Sequence, residues 1–120
     1  MTDSQNLEVP NVLNTFAEYN VFIKEISKSY QISDSEHTLE LVAFGLLEEA
    51  GEVAGKLKRK YREGNFDRLE IIKELGDVLG YLTCIAHELD SSLEEVANLN
   101  YSKLVTRKQN KTLLGTGDNR

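Results

Sequence analysis

Apolar residues recur along this chain at intervals of three and four, the spacing that lines up one face of an α-helix. Over residues 11–30 the stripe is Val12, Phe16, Tyr19, Ile23, Ile26 and Tyr30, with Asn11 placed to cap the first turn. Ser33 and Glu36 form a capping-box pattern ahead of a second stripe, Leu39, Val42, Leu46 and Val53, which runs on towards Lys60 and stops at Gly64. Asp67 with Glu70 opens a third helix that carries Ile71, Val78, Tyr81, Leu82 and Ile85 and ends around Leu89. Ser92 with Glu95 opens a fourth, with Leu93, Val96, Leu99, Leu104 and Val105 as its stripe, fading near Gln109. No segment alternates apolar and polar residues long enough to read as a strand, and the single proline, Pro10, precedes all four helices. The pattern predicts an all-α chain of four helices with irregular ends at 1–10 and 112–120, the latter containing Gly115, Gly117, Asp118 and Asn119.

Composition narrows the picture. A chain of 120 residues, 40% of them apolar, has material for one core, so a single domain spanning 1–120 is expected. Its 14 basic and 20 acidic residues leave a formal charge of -6, which speaks against a nucleic-acid polymer as partner because that needs clustered Lys and Arg. An anionic phosphate ligand would need a divalent cation between it and the carboxylates. Cys84 stands alone in an apolar helical stretch, with neither a disulfide partner nor a metal-binding spacing, and His37 and His87 have no partner at such a spacing either. No apolar run is long enough to cross a bilayer, and residues 1–10 lack the basic-then-apolar order of a secretory signal. A cytoplasmic location without a membrane partner is the expectation.

The chemistry lies in the two middle helices. The second contains Glu48-Glu49-Ala50-Gly51-Glu52 and the third Glu74-Leu75-Gly76-Asp77, so each carries an acidic pair three residues apart, one turn apart on one face. Glu49 and Glu52 share a face with Val42, Leu46 and Val53, and Glu74 and Asp77 share one with Ile71, Val78 and Tyr81. Packing through those stripes would bring four like charges together where desolvation costs several kcal/mol per unpaired ion. A divalent cation removes the conflict, and oxygen ligands without His or Cys favour Mg²⁺ or Mn²⁺. Gly45, Gly51, Gly55, Gly76 and Gly80 sit inside helices at a cost of about 0.5 to 1 kcal/mol each, which predicts close packing of backbones or of a bound metal-phosphate group around them.

The strings GLLEEAGEVAG and KELGDVLGYL resemble the MazG-like, all-alpha nucleoside triphosphate pyrophosphohydrolases, whose Glu-x-x-Glu, spacer, Glu-x-x-Asp signature is matched by Glu49, Glu52, Glu74 and Asp77. The string SLEEVANLNYSKLVTRK is similar to that family's closing helix, which places Asn100, Lys103 and Arg107 towards substrate phosphates. The resemblance implies a four-helix bundle-like fold completed as a homodimer or homotetramer, with pockets near subunit contacts. It implies Mg²⁺-dependent cleavage of a nucleoside triphosphate between the α and β phosphates, giving a monophosphate and pyrophosphate. The four acids would ligate the metal, and one of them or Glu48 would orient the attacking water. Lys56, Lys60 and Arg62, which follow the first acidic pair, are further candidates for phosphate contact, and Tyr81 for the base. A nucleoside pocket is expected to draw on Phe16, Tyr19, Asn20 and Ile23 of the first helix. Two other readings compete. A non-catalytic acidic interaction module would have no reason to bury paired acids, and a di-iron bundle would want Glu-x-x-His, which neither Glu49 nor Glu74 begins. Within the family, phosphoribosyl-ATP is the alternative substrate.

Overall fold

The computed structural model describes residues 12–29 and 36–118. Its regular elements are α1 (Phe16–Ser29), α2 (Thr38–Glu63), α3 (Arg68–Glu88) and α4 (Leu93–Gln109), with no strand among the described residues. The first helix starts later than its apolar stripe suggests. Thr15 Oγ1 accepts from the Glu18 N–H and Glu18 Oε2 accepts from the Asn14 N–H, so a local Thr-x-x-Glu pair closes the first turn. Asn11, Tyr30 and Ser33 lie outside the described residues. α2 begins at Thr38, with His37 at its N-cap, rather than at the Ser33 box, and the Thr38 side of that first turn is buried.

The α2–α3 hairpin is the frame of the molecule. Gly64 takes a left-handed φ of 72° and its N–H donates to Lys60 O, which ends α2; the positive φ suits glycine because a Cβ would be strained there. Asp67 then accepts from the Leu69 and Glu70 N–H groups and starts α3. Between them, the Lys60 ammonium sits 4.3 Å above the centre of the Phe66 ring. α3 and α4 each end with a residue of positive φ, Asp90 and Lys111, followed by a backbone bond back across the last turn. Ser91 N–H reaches Ala86 O, and Thr112 N–H reaches Arg107 O, both at 2.8 Å.

Val42 on α2 and Thr83 on α3 are fully enclosed, and Gly45 is buried where α2 crosses α3 because the Tyr81 ring lies against its backbone. α1 packs on α3 and on α4, while no backbone of α2 comes within 8 Å of α1 or α4 among the described residues. Asn20 ties α1 to the head of α4: its Nδ2 donates to Phe16 O and to Glu94 Oε2, and its Oδ1 accepts from the Leu93 N–H. The expected crowding at the helical glycines holds at Gly45, while at Gly80 an added Cβ would make only ordinary contact with α1. At Gly51, Gly55 and Gly76 an added Cβ would meet nothing within 4 Å, so those three do not mark tight packing within one chain.

Much of the apolar pattern is not consumed by this packing. Leu41, Phe44 and Leu47 on α2, Leu69, Ile72 and Leu75 on α3, and Val96, Leu99 and Leu104 on α4 all face outwards. Of the fourth stripe only Leu93 is buried. The radius of gyration is 17.8 Å, against about 13 Å for a compact domain of this length. No helix of the described residues is long and apolar enough to cross a membrane.

Candidate functional site

Glu49 projects from α2, and Glu74 and Asp77 from one face of α3, into the crossing between the two helices. One carboxylate oxygen from each lies within 4.8 Å of the others. Glu49 and Glu74 are half-buried and Asp77 is exposed. Partial burial, then the charges of Asp77 and Glu74, hold the Glu49 carboxyl above the ordinary carboxylate range. Glu52 and Glu48 add to that push, yet both are exposed and stand outside the three-oxygen group. The cluster has a cation of its own: Lys56 Nζ lies 3.2 Å from Glu74 Oε1 and 3.8 Å from Glu70 Oε2. An all-oxygen donor set of this kind suits a hard divalent ion.

Two of the three acids, Glu49 and Asp77, line a cavity of about 540 Å³ between α1 and α3. Tyr19, Ile23, Ile26 and Tyr81 supply most of the remaining wall. Burial is the main influence on both tyrosines, and with nearby acids and the Cys84 thiol it raises their phenol pKa values, so both stay neutral donors.

The other sequence-derived candidates are scattered. Lys56 points to the acids; Lys60 is held over Phe66; Arg62 and Asn100 are exposed. Arg107 is 6% exposed, and its Nη2 donates to Gly117 O, Asp118 O and Asp118 Oδ1. Lys103 pairs with the same Asp118 carboxylate at 3.4 Å. The cationic candidates therefore divide between the acid triad, the α2–α3 turn and the C-terminal segment. Of the expected nucleoside contacts, Tyr19 and Ile23 line the cavity, Asn20 is used to dock α4, and Phe16 is exposed. Gly76, Gly80 and Cys84 also line the cavity, and their spacing of four, which places them on one face of α3, is the sequence signal for that wall.

Comparison with known proteins gives the family. The family profile described as MazG nucleotide pyrophosphohydrolase domain matches residues 37–112, more than half of the chain and all of the triad. The chain belongs to the MazG family. Among relatives of this MazG chain, the Gene 37 protein of Mycobacterium phage L5 is 39% identical over 92 residues, covering 72% of this chain and 81% of the phage protein. The uncharacterized protein YpjD of Bacillus subtilis (strain 168) is 37% identical over 70 residues, 55% of this chain and 63% of its own length. No solved structure matches. The MazG match supports a nucleotide pyrophosphohydrolase fold in which a nucleotide is the ligand class.

Proposed function

We propose that this chain hydrolyses nucleoside or deoxynucleoside triphosphates between the α and β phosphates, releasing pyrophosphate and a monophosphate in the housekeeping of cytoplasmic nucleotide pools. The observation that carries the reading is the meeting of Glu49, Glu74 and Asp77 oxygens in a MazG domain, beside a cavity that Glu49 and Asp77 line. These three carboxylates would hold Mg²⁺, with Mn²⁺ as a substitute, and Glu52, one turn along α2 from Glu49, would complete the set. When bound, the ion screens the acids from the polyphosphate and polarises a phosphoryl oxygen. One of the acids, or Glu48 beside them, orients a water and takes its proton as the water oxygen bonds to the α phosphorus and the bridging oxygen leaves with pyrophosphate.

Cationic residues of the chain answer the charge on the departing group. Lys56 is already at the acids, and Asn100, Lys103 and Arg107 are the α4 candidates. In the structure Lys103 and Arg107 hold Asp118, an anionic oxygen of the kind a phosphate presents. Lys60 and Arg62 belong to the same proposal as outer contacts, and Tyr81 stands where a base or ribose would enter the cavity. The outward apolar faces of α2, α3 and α4 support assembly as a homodimer or homotetramer.

A pyrophosphate-release screen of standard and modified dNTPs and NTPs with Mg²⁺ tests the reading, beside Glu74→Gln, Asp77→Asn and Glu52→Gln. Release by the wild type, falling on the order of 100-fold or more in the first two variants, is the expected result. Equal inertness of wild type and variants with every nucleotide would overturn it.

A further inference from the structure

Along the cavity that Glu49 and Asp77 line, the α3 wall lies nearer to side chains of α1 at Gly80 than at Gly76. On α3, Gly76, Gly80 and Cys84 follow one another at intervals of four and form the wall that faces α1. At Gly76, beside the carboxylates, an added Cβ would meet nothing within 4 Å. At Gly80 it would lie 3.6 Å from the Tyr19 hydroxyl and 4.0 Å from Ile23 Cδ1. A side chain added at Gly76 would therefore start into open space, whereas one added at Gly80, one turn along α3, would start in ordinary contact with Tyr19 and Ile23, and anything larger than a methyl group would press on them.

The chemistry of the cavity is as telling as its shape. Apart from Glu49 and Asp77, the polar side-chain atoms of the lining are the hydroxyls of Tyr19, Ser27 and Tyr81 and the thiol of Cys84. The Ser27 hydroxyl already donates to Lys24 O at 2.8 Å. Among the described residues the lining has no amide, guanidinium, ammonium or imidazole side chain. A phenol hydroxyl turns to donate or to accept, so it does not distinguish an amino from a carbonyl edge of a base. Apolar pockets separate ligands by size, with ratios of about 10 to 200, whereas sites with fixed polar partners reach far higher ratios.

We propose that Gly80, facing Tyr19 across this cavity, is the specificity-determining position of the chain: it gauges the size of the base and leaves the hydrogen-bonding pattern of the base unread. The proposal rests on the nucleotide-hydrolase reading above. It assigns the triphosphate to the triad and the base to the α1–α3 wall, and it makes the enzyme tolerant of base identity, including bases with apolar substituents.

The test compares kcat/KM for the four standard dNTPs in the wild type, Gly80→Ala, Gly80→Leu and the double variant Gly80→Leu with Tyr19→Ala. Dissociation constants for non-cleavable α,β-imido dNTPs are measured on the same proteins, and thermal melting checks folding. The wild type should show ratios within about tenfold across the four bases. Gly80→Leu should lower kcat/KM for purine nucleotides at least tenfold more than for pyrimidine ones, mostly through KM, with Gly80→Ala between. Removing the Tyr19 ring should return most of the lost purine preference, because the volume is restored from the opposite wall. A wild type that selects one base by more than 100-fold would sink the proposal, as would equal losses for all bases in Gly80→Leu. If no nucleotide is hydrolysed by any form, the catalytic reading fails, and analogue binding still decides the role of Gly80: size-graded affinities uphold it and uniform ones end it.

Discussion

Tyr81 owes its place to the residue it lies against. A Cβ on Gly45 would fall on the Tyr81 ring, so the missing side chain on α2 is what lets the ring lie across the helix crossing and reach the cavity beside Glu49. Gly45→Ala should therefore force the ring out or separate α2 from α3, at about 1 to 3 kcal/mol, the usual range for overpacking. Chemical denaturation monitored by circular dichroism measures the loss, and an unchanged midpoint would show that the ring moves freely. The acids follow a different logic. Glu49, Glu74 and Asp77 were legible as a group because their spacing and their place in the apolar stripes reveal a shared face. Which oxygens converge was not legible: Glu52 has the same spacing from Glu49 that Asp77 has from Glu74, yet it stands outside the three-oxygen group. A one-turn offset along a helix is about 5 Å, enough to carry a carboxylate past a crossing point. Lys56 shows the reverse, a cation read from sequence as a phosphate contact that tertiary packing turns first onto Glu74.

At the scale of elements, caps and tethers decide where helices begin and how they meet. Asp67 and Ser92 cap α3 and α4 as their sequence patterns predict, since such bonds span only two or three residues. The tether at Asn20 is long-range and had no local signal. Asn20 is buried, and its amide satisfies Glu94 Oε2 while its oxygen takes the Leu93 N–H. Asn20→Ala should cost about 1 to 3 kcal/mol, because it leaves a buried backbone donor unpaired. Faster hydrogen exchange at the Leu93 amide, with little change in the α2–α3 hairpin, is the expected signature. The C-terminal segment has a tether of its own. The Lys103 charge, with hydrogen bonds from Lys103 and Arg107, holds the Asp118 carboxyl below its ordinary pKa of 3.8. A carboxyl depressed on folding contributes stability that is present above the ordinary value and is lost as pH falls through the folded one. Residues 112–118 should thus stay docked at neutral pH and loosen below about pH 4, followed by the carboxyl carbon shift of Asp118. Asp118→Asn should remove that pH dependence, and a tail equally ordered in the variant at every pH would refute the tether.

At the scale of the whole molecule, the apolar surface left uncovered is the dominant fact. Phe44 and Leu47 on α2 are 68% and 72% exposed, and the outward residues of α3 and α4 extend the same character around the chain. Burial of apolar area contributes about 25 cal/mol per Å², so a second copy laid on these faces would gain what one chain leaves unused. The double variant Phe44→Glu with Leu47→Glu should shift the protein to a smaller species in light scattering coupled to size exclusion, and lower its melting temperature. A wild type that is monomeric at micromolar concentration would contradict the assembly.

The sequence by itself determined the four helices of the described residues, the α2–α3 turn, the caps at Asp67 and Ser92, the family and the acidic faces. These depend on neighbours within a few residues, where period and turn chemistry act directly. Tertiary structure alone decided that α1 stands off from α2 across α3, that a cavity opens along Gly76, Gly80 and Cys84, that Asn20 is a tether rather than a ligand, and that Arg107 is enclosed by Gly117 and Asp118. Each of those depends on the angle and offset at which helices cross, and side-chain volumes at distant positions fix that geometry jointly.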